Sequence, residues 1–500
     1  MRKIRIAIAI LFFAGITLLF VGVPSLASWL GWMPKLQFLP AVMALNVLVI
    51  VLILALTLLF GRIYCSTICP LGVLQDGISR VRVTLGRLRK NRKPFHFRKE
   101  HKWLRYGIWV LFVAAIAAGV QSFVAILAPY SAYGRIVESV AHFKAGPVLA
   151  VAAATLLVVG LLAFFTGREY CNSICPVGTT LSFFSRFAIF RPVIDADKCK
   201  NCRLCEVNCK ASCIDIANHK IDYSRCVVCF DCIGNCKFDA LEYRRFKIAP
   251  ETKPLDSAAG EVSSSAAIAS RGCNGRGPAQ LGGGAQRQAE EEDTSQGSGR
   301  RAFLAGAAMG LTAMALEAQN KKRDGGFAEV LPKRAIDRET PVTPPGSISI
   351  RDFYKRCTAC QLCVSVCPNK VLRPSADLDH LMQPQMGFEE GYCRPECTKC
   401  SEVCPSGAII RISPEEKTIY HVGTASVDRS LCVAEKGTKC GNCARHCPVG
   451  AIQMVESSDG YMVPAVNTEI CIGCGACENL CPSRPVSAIT VNGRHDHIIS

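Results

Sequence analysis

Cys357-Thr358-Ala359-Cys360-Gln361-Leu362-Cys363-Val364-Ser365-Val366-Cys367-Pro368 is the stretch on which the reading of this chain turns. Its spacing is C-x2-C-x2-C-x3-C-P. Three thiolates on a tight loop hold three corners of an iron–sulfur cube, and the fourth cysteine, past a bend, ligates a neighbouring cube. Three more runs follow. Cys393, Cys397, Cys400 and Cys404 form the second, Cys432, Cys440, Cys443 and Cys447 the third, and Cys471, Cys474, Cys477 and Cys481 the fourth, each closed by a proline. The inner two runs stretch only the first gap. Zinc sites usually show two separated C-x2-C halves, so this spacing favours clusters over zinc or disulfides. Sixteen cysteines in this order predict four [4Fe–4S] clusters in two ferredoxin-like pairs. The regular outer runs and the stretched inner runs suggest nested pairing, first with fourth and second with third.

Upstream, Cys199, Cys202, Cys205 and Cys209, then Cys226, Cys229, Cys232 and Cys236, form another two-cluster unit. Crossed ligation assigns Cys199, Cys202, Cys205 and Cys236 to one cube and Cys226, Cys229, Cys232 and Cys209 to the other. Lys210 and Lys237 stand where proline usually follows. Two readings stay open for them: cations that raise the reduction potential, or ordinary solvated lysines. Cys213 is a spare, expected as a small buried hydrophobe.

Thirty cysteines in 500 residues, half of them hydrophobic, exclude an ordinary soluble chain. The net charge of +18 does not indicate nucleic acid. Twelve Lys and Arg fall between Arg62 and Arg105, beside apolar runs, where the positive-inside rule accounts for them. The apolar runs are Ile6–Val23, Leu36–Phe60, Tyr106–Tyr130 and Pro147–Phe165. At about 20 residues per crossing they predict four spans that begin and end in the cytoplasm. No histidine of the nine lies in a span and no C-x-x-C-H occurs, so no haem is expected.

The apolar part carries a repeat. Gly61-Arg62-Ile63-Tyr64-Cys65-Ser66-Thr67-Ile68-Cys69-Pro70-Leu71-Gly72 follows the second run, and Gly167-Arg168-Glu169-Tyr170-Cys171-Asn172-Ser173-Ile174-Cys175-Pro176-Val177-Gly178 follows the fourth. Each C-x3-C-P sits at the cytoplasmic mouth of a helix. Two pseudo-symmetric hairpins would bring Cys65, Cys69, Cys171 and Cys175 together as a four-thiolate metal or cluster site. After each motif an amphipathic helix is expected in the membrane interface, the first with Leu74, Ile78, Val81, Leu85 and Leu88 as its apolar stripe. In the second periplasmic loop Tyr130, Tyr133, Glu138 and His142 form a candidate proton-accepting cluster for quinol, or simply an interfacial belt.

Residues 250–299 are rich in Ser, Ala, Gly and Gln and read as a disordered linker. Ser298-Gly299-Arg300-Arg301-Ala302-Phe303-Leu304, before a short apolar run, reads as a twin-arginine signal for export of a domain already folded on its clusters. Lys321, Lys322 and Arg323 beyond it argue for retention by charge count.

These motifs carry a resemblance. Residues 1–245 resemble the membrane quinol-dehydrogenase subunits of the NapH and MauN type, and share a core with the NosR type without its flavin domain. Residues 298–490 resemble the tetra-cluster ferredoxins of the NapG and MauM type. The resemblance implies a fusion of the two. The expected fold is an α-helical membrane bundle, four spans plus a fifth short signal-anchor helix, with α+β ferredoxin-like [4Fe–4S] modules. Its segments are a membrane domain (1–190), a two-cluster ferredoxin (191–248), a linker (249–299), a signal anchor (300–318) and a four-cluster ferredoxin (319–500). The implied function is quinol oxidation with electrons passed through six [4Fe–4S] clusters, and one further cysteine-held centre, to a periplasmic reductase or cytochrome. The partners are then the quinone pool and the lipid bilayer, with no nucleic acid. The location is the bacterial cytoplasmic membrane, with the first ferredoxin cytoplasmic and the second periplasmic. Alternatives are an assembly factor that reduces a metal or cysteine in a partner, or reverse flow from a periplasmic dehydrogenase into quinone.

Overall fold

Uncharged apolar runs form the first half of the chain, and in the computed structural model they fold as two matched helical arms. The structure describes residues 1–22, 26, 29–88, 95–141, 147–245 and 331–497. The first arm contains α1 (Arg2–Val21), α2 (Phe38–Met43), α3 (Val47–Phe60) and, beyond a helical turn at Tyr64–Thr67, α4 (Pro70–Leu88). The second contains α5 (Lys102–Ala118), α6 (Gln121–Leu127), α7 (Pro129–Ala141), α8 (Pro147–Phe165) and, beyond a π-helical turn at Tyr170–Ile174, α9 (Pro176–Ser185). The arms cross: α4 packs on α8 and α9 on α3, while α1 touches the first turn and α5 the second. A hydrogen bond from Ser79 to the Ala163 carbonyl at 3.0 Å fixes the crossing, and one from Trp109 Nε1 to Thr180 at 3.0 Å ties α5 to α9 within the second arm.

Arg2–Val21 and Val148–Phe165 are long and apolar enough to cross a membrane, and Val47–Phe60 is apolar but shorter. The other two predicted spans are interrupted. Leu36–Phe60 breaks at Leu45, whose φ is 52°, before Asn46 caps α3 through the Val49 N–H. Tyr106–Tyr130 breaks at Gly119, with φ 77°, and again where Pro129 starts α7. A left-handed residue cannot continue a helix, and apolar composition alone does not reveal it. On α4, Leu71, Gln75, Asp76 and Ser79 are buried and Leu74 packs against the core, while Val81 and Leu85 of the expected apolar stripe are exposed. Leu48, Val51 and Leu52 on α3 and Leu157, Val158 and Leu161 on α8 face outward too.

The cysteine-rich segments are small antiparallel units. In the first, β1 (Phe190–Ile194) pairs with β4 (Leu241–Arg245), Ile194 opposite Leu241, and encloses the hairpin of β2 (Ile214–Asp215) and β3 (Lys220–Ile221). The same plan recurs near the C-terminus. There β7 (Gly423–Val427) pairs with β10 (Ile489–Gly493), Ile489 opposite Val427, around the hairpin of β8 (Ile452–Glu456) and β9 (Met462–Val466). The hairpin of β5 (Leu372–Pro374) and β6 (Pro384–Met386) lies between the first two C-terminal runs.

Residues 1–246 and 332–500 belong to one contact unit. At the start of α1, Arg2 Nε lies 3.0 Å from Asp231 of the first ferredoxin unit. Toward its other end Phe20 packs on Gly134, whose backbone abuts the Cys360 carbonyl. The 20 residues between give a rod of about 30 Å. The linker, the twin-arginine segment, Cys273 and His142 lie outside the described residues.

Candidate iron–sulfur sites

The crossed arms bring Cys65, Cys69, Cys171 and Cys175 into one core, each about 5% exposed or less. Arg62 and Arg168, both fully buried, reach across the pseudo-two-fold: Arg168 donates to the Cys65 carbonyl at 2.7 Å and Arg62 to the Cys171 carbonyl at 3.0 Å. Each motif glycine lies under the same crossing. A Cβ on Gly72 would stand 2.3 Å from the Cys65 carbonyl oxygen, and one on Gly178 2.2 Å from that of Cys171. Burial raises the Cys69, Cys171 and Cys175 thiols, and the neighbouring sulfurs raise them further. Without a metal these thiols are protonated, so loading releases protons.

Gln75, buried on α4, faces this core. Its Oε1 accepts from the Cys171 thiol at 3.5 Å, and its Nε2 has no partner. An amide hydrogen orphaned beside four sulfurs suits a thiolate or sulfide acceptor, which a cluster supplies. Among the described residues no three Cys, His, Asp or Glu side chains close around a single-ion position. A cube holds its cysteines farther apart than one tetrahedral ion does.

An ionic network joins this core to the first ferredoxin unit. Arg168 binds Asp76 through Nε at 2.9 Å and a terminal nitrogen at 2.9 Å, and Arg5 reaches the same carboxylate at 3.3 Å. Lys210 Nζ lies 2.8 Å from Asp231 and 3.7 Å from Asp76. Lys210 is therefore buried and paired, not a solvated lysine, whereas Lys237 is exposed. Burial pushes the Asp76 carboxyl up, but Arg168, Lys210 and Arg5 outweigh it and hold it well below the usual carboxylate range. Backbone contacts add to the link: the Arg168 N–H donates to the Lys210 carbonyl at 2.8 Å and Arg62 to that of Ser224 at 3.0 Å.

In that unit Cys209, Cys226, Cys229 and Cys232 line an apolar hollow. This is the crossed set expected from the spacing, and its four thiol donors fit a cube. Cys205 is raised to about 11, first by burial and then by the neighbouring Cys199 and Cys202. Cys213, expected as an inert hydrophobe, lines the same hollow.

The C-terminal runs pair in sequence, not in a nest. Cys367 joins Cys393, Cys397 and Cys400 around one hollow, and Cys447 joins Cys471, Cys474 and Cys477 around another. Cys357, Cys360 and Cys363 share their environment with Cys404, and Cys443 with Cys432 and Cys440, which leaves Cys481 as the crossed fourth ligand. The cause is the β7–β10 pairing, which brackets the third and fourth runs together. The two units touch where the Cys393 N–H donates to the Cys474 carbonyl at 2.9 Å.

The first of these sites abuts the helical core. Ser131 donates to the Thr358 carbonyl at 2.7 Å and Gln121 to that of Lys355 at 2.7 Å. Tyr130 and Tyr133 are buried here, not set in an interfacial belt. Tyr133 shares a 2.6 Å hydrogen bond with Thr17, and the Tyr130 hydroxyl, among Phe20, Cys360 and Cys404, has no partner. Glu138 lies on the same helix, half-buried.

Two family models match. The 4Fe-4S binding domain covers residues 42–93 and 147–193, one motif of the repeat in each, and the 4Fe-4S dicluster domain covers 356–408 and 436–484. The second match falls on runs one and two, then three and four, as the hollows do. Among curated proteins, the methylamine utilization ferredoxin-type protein MauM of Methylobacillus flagellatus is 29% identical over 30% of this chain and 68% of its own length. The ferredoxin-type protein NapF of Escherichia coli K12 is 29% identical over 35% of this chain and 99% of its own. MauM of Paracoccus denitrificans is 32% identical over 28% and 66%. No solved structure matches. The chain is thus an iron–sulfur electron-transfer protein of ferredoxin type, with [4Fe–4S] domains.

Proposed function

We propose that this ferredoxin-type protein is a membrane quinol dehydrogenase whose cysteine sites lie in one line across the bilayer. The order is Cys199/202/205/236, Cys209/226/229/232, Cys65/69/171/175, Cys357/360/363/404, Cys367/393/397/400, Cys447/471/474/477 and Cys432/440/443/481. A [4Fe–4S] cube at each ferredoxin site, six in all, and a cluster at the buried four-cysteine core would supply one-electron transfer. The chain holds each site against the next through backbone contacts and excludes water from the core. The observation that carries the reading is the four-cysteine core, wedged between the first ferredoxin unit on one side and the Cys360 loop on the other.

A membrane setting is supported by α4, with Gln75, Asp76 and Ser79 inward and Val81 and Leu85 outward, and by the outward apolar faces of α3 and α8, as expected of helices solvated by lipid. The interrupted helices are assigned to the same four-span bundle; of their breaks, Pro129 is buried, while Leu45 and Gly119 lie at its surface. The rod of α1, with one ferredoxin at each end, supports placing the first in the cytoplasm and the second in the periplasm, exported by the twin-arginine segment. The relatives' names place them in methylamine and Nap systems, which favours a periplasmic reductase as acceptor. The protons of quinol are assigned to the end of the bundle around Tyr130 and Tyr133.

The test is quinol-driven reduction of the protein in native membranes, followed by EPR and by reoxidation with nitrate and its reductase. Cys65→Ser with Cys171→Ser should leave six cubes in place but stop exchange between the two ferredoxin domains. Unchanged exchange and unchanged iron in that variant would discard the central site. Reduction once per chain with no turnover would favour the assembly-factor reading.

A further inference from the structure

Cys213 has no place among the 24 ferredoxin ligands, yet it occupies the wall of the hollow formed by Cys209, Cys226, Cys229 and Cys232. Its Sγ is 3.5 Å from that of Cys209, and the side chain is 1% exposed. On its other side it meets the Cys226 thiol. A buried thiol among apolar side chains alone is inert filling. One lodged between two ligands of the same cluster is placed to compete for iron. A cube has four irons and takes four terminal ligands, so this hollow holds one thiol too many.

We propose that Cys213 is an alternate ligand of this cluster, exchanging with Cys209 at a single iron. The inference rests on reading the hollow as a [4Fe–4S] site. Cys209 is the partner because Cys226, Cys229 and Cys232 come from one tight loop, while the fourth iron is reached only from the other run. Cys209 and Cys213 flank a single turn of that run, closed by the Ser212 N–H on the Cys209 carbonyl at 3.0 Å. In the exchange the iron–sulfur bond to Cys209 breaks and the bond to Cys213 forms. The Cys213 thiol proton crosses to the Cys209 thiolate. No electron is gained or lost and the site's charge is unchanged. The two forms differ in what neighbours the bound sulfur, because Cys209 immediately precedes Lys210 and its ion pair with Asp231.

The test counts clusters in the full-length protein by iron, acid-labile sulfide and native mass, with EPR of the reduced sample. Cys232→Ala is the reference and should cost one cluster. If it costs none, the hollow is not a cluster site and the parent reading falls with the proposal, by that separate signature. Cys209→Ala should keep the wild-type count with a displaced EPR signal, and Cys209→Ala with Cys213→Ala should lose one cluster. Loss of one cluster from Cys209→Ala alone, or retention in the double variant, overturns alternate ligation. If Cys209→Ala protein does not accumulate, Cys213→Ala decides. The wild type should then show two overlapping signals from this site and the variant one, and an unchanged spectrum overturns the proposal.

Discussion

The two arms that build the central four-cysteine core match in Arg, Tyr, Cys, Pro and Gly but not in charge. Arg168 is locked to Asp76, whereas Arg62 has Asn172, Ser224 and the Cys171 carbonyl and, among the described residues, no carboxylate. The reason is one position: Ser182 stands in the second arm where Asp76 stands in the first, and Leu181 where Gln75 does. Duplication thus supplies a symmetric cage, and two side chains on α4 make its field asymmetric. One buried cation is neutralised and tied to the first ferredoxin unit. The other stays a net positive charge, 4.0 Å from the Cys65 sulfur.

The most severe way to break the comparison is to attack what the arms share. Gly72→Ala or Gly178→Ala sets a methyl against a cysteine carbonyl and should cost about 3 kcal/mol or more, since backbone cannot yield as a side chain does. Equal losses in thermal unfolding and in iron per chain would confirm equivalence, and a harmless substitution in one arm would break it.

Asp76→Asn attacks the difference. It leaves Arg168, Arg5 and Lys210 facing a neutral amide and should destabilise by about 3–5 kcal/mol at neutral pH, whereas Ser182→Ala should cost under about 1 kcal/mol. The depressed carboxyl gives the sign of the pH dependence. Its contribution is complete above the ordinary aspartate pKa of about 3.9 and is lost as pH falls toward the lower folded value. The variant should therefore lose that part of the acid sensitivity, measured by unfolding from pH 5 down to about pH 2.

Arg62→Gln should lower the midpoint potential of the core on the order of 100 mV. That corresponds to removing an interaction of about 2 kcal/mol at an effective dielectric constant of about 20. A redox titration that showed no shift would mean that Arg62 only braces the backbone. The smallest effect is expected at the tyrosines. Tyr64 donates to Gln37 and accepts from the Phe38 N–H, while Tyr170 only donates, to the Leu127 carbonyl. Tyr64→Phe should cost about 1–2 kcal/mol and Tyr170→Phe about 1, read from the same melts.

The repeat was legible because a duplicated motif is local. The grouping of Cys209 with Cys226, Cys229 and Cys232 around one hollow was expected from spacing for the same reason. What was hidden depends on residues outside the motifs. Run pairing is decided by β7 and β10, whose alternation resembles that of any short strand, so likeness among runs misled. The two readings of Lys210 stayed open because its partners, Asp231 and Asp76, lie 21 residues downstream and in another domain. The buried polar face of α4 was not legible because the partners of Gln75 and Asp76, Cys171 and Arg168, lie in the other arm. The breaks at Leu45 and Gly119 are matters of backbone angle, which an apolar run conceals.

The strand pair that set the run order also closes over what it brackets. All sixteen cysteines of the C-terminal runs precede residue 482, yet Val491 of β10 still lines the hollow of Cys447, Cys471, Cys474 and Cys477. A fragment ending at 485 would keep every one of these sulfurs and lose that wall.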